Sequence, residues 1–125
     1  MRIALKRPLP EAVVAFWACA AIYVIQQSLT PRPELPFSFV AADKLAHFAA
    51  YFALALLPFA GFRDARRARA ASLSMLVLGA LMEACQSFIP ERSASVLDMA
   101  ANALGVACGL FAGKRLRSRL EFPLS

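Results

Sequence analysis

The chain has 125 residues, 60% of them apolar, a mean hydropathy of +0.58 and a formal net charge of +6. That length allows one domain, and a soluble domain carries about 45–50% apolar residues, so a soluble globular protein is a poor fit. The charge invites a nucleic-acid reading, but no aromatics interleave with the arginines and no nucleic-acid module is recognisable, so nucleic acid is discounted.

Four apolar stretches of helical length follow one another, at residues 12–29, 45–62, 70–89 and 96–113. Each is close to the ~20 residues that cross a hydrocarbon core at about 1.5 Å rise per residue. The first stretch is apolar all round, whereas a helix of a soluble bundle keeps a charged face. Arg2, Lys6 and Arg7 ahead of it, with the Ala18-Cys19-Ala20 triplet, fit the general pattern of a cleavable leader. Cleavage there would leave a very short apolar core, and the stretch runs on to Leu29, so an uncleaved first span is expected. Pro31, Pro33 and Pro36 interrupt helix before the second stretch, and Phe37, Phe39 and Val40 can dip into the membrane interface. Arg63, Arg66, Arg67 and Arg69 read as a short basic turn before the third. The third and fourth contain one acid each, Glu83 and Asp98, and the tail after Lys114 reads as a solvated end. Cys19, Cys85 and Cys108 all fall inside apolar stretches, where a buried thiol acts as a small hydrophobe. Short loops favour antiparallel neighbours. The expected fold is all-α: a single-domain, four-helix transmembrane bundle over residues 1–125.

Charge distribution orients it. Eleven of the fourteen basic residues precede the first stretch, join the second to the third, or follow the fourth; Arg32, Lys44 and Arg92 lie on the opposite side. This is the positive-inside bias of an inner-membrane protein with both termini in the cytoplasm. The basic residues also suit anionic lipid headgroups.

The polar residues of the stretches lie near one end only. Asp43, His47 and Tyr51 follow i, i+4, i+8 and share a helix face. Gly79, Glu83 and Gln86 share another. Asp98 and Asn102 continue into Gly105 and Gly109, a GxxxG that lets helices approach closely. If the helices alternate in direction, the seven polar side chains fall in one layer on one side of the bilayer. Polar groups at that depth face the protein interior or a water-filled cavity, so the spacing predicts a shared pocket. Asp43 and Asp98 are also candidate helix N-caps, Lys44 can snorkel, Tyr51 is expected to pack and donate one hydrogen bond, and Gln86 and Asn102 suit interhelical bonding. Glu83 needs a partner to be tolerated, with Arg92, Lys44 or His47 as the choices.

The segment Asp43-Lys44-Leu45-Ala46-His47-Phe48 with Tyr51, then Glu83-x-x-Gln86, Pro90-x-Arg92 and Asp98-x-x-Ala101-Asn102-x-x-Gly105, resembles the signature of the VanZ-like family of small bacterial membrane proteins. The namesake of that family is associated with low-level resistance to teicoplanin, so the resemblance implies a link to glycopeptide tolerance. It implies no biochemical mechanism.

Chemistry is left open. His47, Glu83 and Asp98 are the candidate acid–base groups, with Asp43, Lys44, Tyr51, Gln86, Arg92 and Asn102 as candidate binding residues. One histidine and no cysteine in that layer fall short of the usual zinc ligand set; Asp43, Glu83, Asp98 and Asn102 offer oxygens that magnesium or calcium can use, but no cofactor is expected. No motif marks Ser87, Ser93 or Ser95 as a nucleophile. The expected partners are membrane lipids and a polar or phosphorylated envelope component such as a lipid-linked precursor; a homo-oligomer is also open. The competing class is a non-catalytic structural or assembly subunit whose polar layer only sets helix packing.

Overall fold

The computed structural model describes residues 10–30, 40–89 and 95–119. Four helices fill most of this: α1 Pro10–Leu29, α2 Val40–Gly61, α3 Ala65–Gln86 and α4 Val96–Arg119. No strand occurs among the described residues. All four helices are long and apolar enough to cross a membrane. Pro31, Pro33, Pro36, Phe37 and Phe39 lie outside the described residues.

Helix boundaries depart from the apolar runs where polar residues cap or extend them. Asp64 is extended and accepts a hydrogen bond from Arg66 N at 2.8 Å, which is N-cap geometry. Alanine and arginine are good helix formers, so Arg66, Arg67 and Arg69 sit in the first turns of α3 and not in a turn. At the other end α4 continues past Gly113 to Arg119. Residues 114–119 of the tail are therefore helical. The Arg117 guanidinium donates to Phe62 O at 2.6 Å, to Phe59 O at 3.2 Å and to Arg63 O. Those carbonyls end α2, where intrahelical donors run out and a cation suits the helix dipole.

Pro58 lies inside α2. Having no N–H, it cannot bond the carbonyl four residues earlier, that of Leu54. Trp17 of α1 supplies the missing donor: its Nε1 lies 2.8 Å from Leu54 O. In a bilayer no water is at hand for such a carbonyl, so one proline explains one tryptophan contact.

The most extensive interface joins α2 to α4. The two run parallel, and Gly105, Gly109 and Gly113 form the seam. A Cβ at Gly105 would lie 2.5 Å from Phe48 O and 3.1 Å from Phe52 N. One at Gly109 would strike Phe52 O, and one at Gly113 the Phe59 ring. Backbone therefore touches backbone, which maximises the dispersion contact that holds helices together in lipid. Tyr51, Leu54, Ala55, Met75 and Val106 form the core beside this seam, with Trp17, Val24 and Leu78 at its margin. Phe16, Ile22, Leu45, Val77, Leu81, Leu104 and Phe111 point outward, an apolar surface suited to acyl chains and not to water. Cys19, Cys85 and Cys108 are exposed on that outer surface; they are not core residues.

Candidate functional site: a polar cluster at one end of the bundle

The ends of the helices are tied together by polar contacts. Gln86 Nε2 donates to Ser28 O at 3.1 Å, joining the C-terminal ends of α3 and α1. Lys44 bonds Asp98, joining the N-terminal turns of α2 and α4. Ser95 N donates to Glu83 Oε2 at 2.9 Å, joining α3 to the start of α4. The seven polar side chains anticipated for this layer thus lie at one end of the bundle.

Ser95 organises α4. Its Oγ accepts from Asp98 N at 3.3 Å, and its carbonyl accepts from Met99 N at 3.1 Å. Ser95, and not Asp98, is the N-cap. In a capping box the acid three residues on would return to the cap residue's own N–H. Here Glu83 from another helix takes that N–H, which leaves the Asp98 carboxylate to Lys44. Asp43 is likewise no cap; it lies in the first turn of α2. Lys44 Nζ bridges Asp98 and Asp43 Oδ2, the latter at 3.4 Å, so its ammonium is held inside the cluster. His47 Nδ1–H donates to Asn102 Oδ1 at 3.0 Å, and its Nε2 is 3.8 Å from Asp43 Oδ1. Neither Lys44 nor His47 bonds Glu83 directly; among the described residues its partner is the backbone N–H of Ser95, and Arg92 lies outside them. Glu83 does lie within electrostatic reach of Asp98, His47 and Lys44.

Two oxygens at the base of the cluster are buried with no hydrogen-bond partner among the described residues: Tyr51 OH and Glu83 Oε1. The residues are only 2% and 1% exposed. Tyr51 packs as anticipated, its ring edge 3.2 Å from where a Cβ on Gly79 would stand, but it makes no hydrogen bond among the described residues. Burying such groups unpaired costs about 1–3 kcal/mol each. Arg92, with Pro90 and Glu91, lies outside the described residues.

A cavity of about 250 Å³ between α1 and α2 reaches the cluster. Val24, Ala46 and Ala50 form its apolar wall; Gln27, Ser28, Asp43, His47 and Tyr51 form its polar end. Tyr23, 61% exposed, carries the wall to the surface. Sequence reasoning missed Gln27, Ser28 and Ser95. The first two were legible as a polar end on an otherwise apolar helix, and Ser95-x-x-Asp98 as a cap signature.

One ligand atom each from Asp43, His47 and Asp98 lies within 4.8 Å of the others, a spacing that a cation can use. The Lys44 ammonium already bridges the two carboxylates and supplies the positive charge, so we assign the cluster no metal. What it offers chemically is a set of acceptors, one ammonium and one imidazole, reachable from a groove.

No curated protein and no solved structure matches the chain. A family model described as VanZ/LLP1 matches residues 8–117, a span that covers all four membrane-length helices almost end to end and every residue of the cluster. With that match over most of its length, this four-helix membrane protein belongs to the VanZ/LLP1 family.

Proposed function

We propose that this family member sits in the bacterial inner membrane with both termini cytoplasmic and binds a lipid-borne, polar component of the cell envelope in the α1–α2 groove, against the polar cluster that α3 and α4 complete behind it. The observation that carries this is the groove between α1 and α2, whose wall passes from apolar at Val24, Ala46 and Ala50 to polar at Gln27, Ser28, Asp43, His47 and Tyr51. Its polar end is richer in acceptors than in cations. A headgroup bearing hydroxyls therefore fits it best, and a phosphorylated one would call on Lys44 and Arg92 for its anionic oxygens. His47, Glu83 and Asp98 are the groups able to move a proton to or from such a ligand. A contribution to glycopeptide tolerance belongs to this reading.

The competing reading, a structural or assembly subunit, is favoured by how many of the polar atoms are satisfied within the bundle. One pair of variants separates the two. Glu83→Gln keeps an acceptor for Ser95 N while removing the charge, and His47→Gln keeps a donor toward Asn102. We expect both to fold within about 1 kcal/mol of wild type, as shape-preserving polar swaps. Binding of a purified polyprenyl-phosphate-linked sugar should weaken roughly ten- to hundredfold, the cost of a lost hydrogen bond to a charged group. Teicoplanin tolerance of a sensitive host expressing each variant should fall in step. Full binding by both well-folded variants removes the site; loss of folding in both supports the structural reading.

Orientation has its own test. Reporter fusions after Phe62 and after Arg119 should report the cytoplasm, and a fusion after Pro36 the periplasm. A periplasmic signal after Phe62 would invert the bundle and turn the cluster toward the cytoplasm.

A further inference from the structure

At the end of the bundle opposite the cluster, a second groove of about 540 Å³ opens between α1 and the α2–α3 turn. We propose that it is a binding site for one phospholipid with an anionic headgroup. Arg63 and Arg67 line it beside Glu11 and Asp64, and Val14, Ala15 and Ala18 form an apolar wall running along α1 away from them. A headgroup phosphate at the arginines would leave an acyl chain lying on that wall.

Three observations support this occupant. The first is charge. Among the described residues this end carries Arg63, Arg66, Arg67, Arg69, Lys114, Arg115, Arg117 and Arg119 against only Glu11 and Asp64. Glu11 is held by Arg63 at 3.2 Å, and Asp64 is spent on capping α3. Arg67 has no carboxylate partner among the described residues. The second is shape. At Gly61 α1 comes so close to α2 that a Cβ would be 2.9 Å from Val14 Cγ2, which holds the apolar wall at a set distance from the arginines. The third is place. An arginine at the end of a membrane-length helix lies at headgroup depth, where basic side chains attract anionic lipid. The site lies at the other end of the molecule from the proposed ligand groove and does not depend on it.

The test uses the whole chain purified in an uncharged detergent. It is titrated separately with phosphatidylglycerol, with phosphatidylcholine of the same acyl chains, and with inorganic phosphate, and followed by thermal unfolding and native mass spectrometry. Phosphatidylglycerol should raise the unfolding midpoint and remain as a one-to-one adduct; the other two should do neither. Arg67→Gln should weaken phosphatidylglycerol binding roughly fivefold, the expected effect of one basic side chain near a charged headgroup. Arg67→Lys should retain most of it, and Arg119→Gln, outside the groove, should leave it unchanged. Equal losses in Arg67→Gln and Arg119→Gln would reduce the effect to diffuse attraction and overturn the site. Equal binding of phosphatidylcholine, or stabilisation by phosphate alone, would overturn the assignment to an anionic lipid.

Discussion

Gly105→Leu will remove most of the folded protein from detergent solution. At this glycine α4 lies on the backbone of α2, and a Cβ alone would come within 2.5 Å of Phe48 O. A flexible side chain could swing aside from such a clash; a carbonyl inside a helix cannot without breaking its own hydrogen bonds. Overpacking a core costs about 1–3 kcal/mol when neighbours can shift, and a leucine against backbone belongs at or above the top of that range. Domains of this size have only ~5–15 kcal/mol in hand. Monodisperse yield by size exclusion and the thermal midpoint are the measurements, with Ala103→Leu on the exposed side of the same helix as the control. If Gly105→Leu unfolds with the wild type, α2 does not pack on this face.

Lys44→Met should be the most costly single change in the polar cluster. The ammonium is the charge partner of Asp98 and Asp43, and its loss leaves two nearby carboxylates facing each other in a poorly hydrated place. Removing one member of a buried pair costs ~3–5 kcal/mol. Lys44 is 27% exposed and Asp98 11%, so about 2–3 kcal/mol is expected here once solvent screening is allowed for. Asp98→Asn should cost less, and the double variant should be more stable than Lys44→Met alone because it removes the uncompensated charge. A double-mutant cycle of unfolding free energies should show coupling above ~1 kcal/mol. Simple additivity would mean that Lys44 only snorkels toward the interface, as its position near a helix start would also allow.

The sequence by itself determined the class of the protein. Four apolar runs near 20 residues leave little but a helical bundle in a bilayer, because every backbone polar group there must be satisfied inside its own segment. Helical spacing also placed Asp43, His47 and Tyr51 on one face and ran Asp98 and Asn102 into Gly105 and Gly109, and α2 does lie against those glycines. Partner choice was another matter. Glu83 was matched to Arg92, Lys44 or His47, and among the described residues it is the Ser95 N–H that it receives; Arg117 read as part of a solvated end and instead closes the end of α2; nothing in the chain linked Trp17 to the carbonyl that Pro58 leaves open. Periodicity fixes the angle of a residue about its own helix axis. It does not fix how far neighbouring helices slide or rotate against each other, and hydrogen-bond partners are set by shifts of an ångström or two in that register. The cysteines show the same limit from the apolar side. Lipid and core are both apolar, so a helix that is apolar all round carries no pattern to tell inside from outside, and only the packed bundle showed that Cys19, Cys85 and Cys108 face outward.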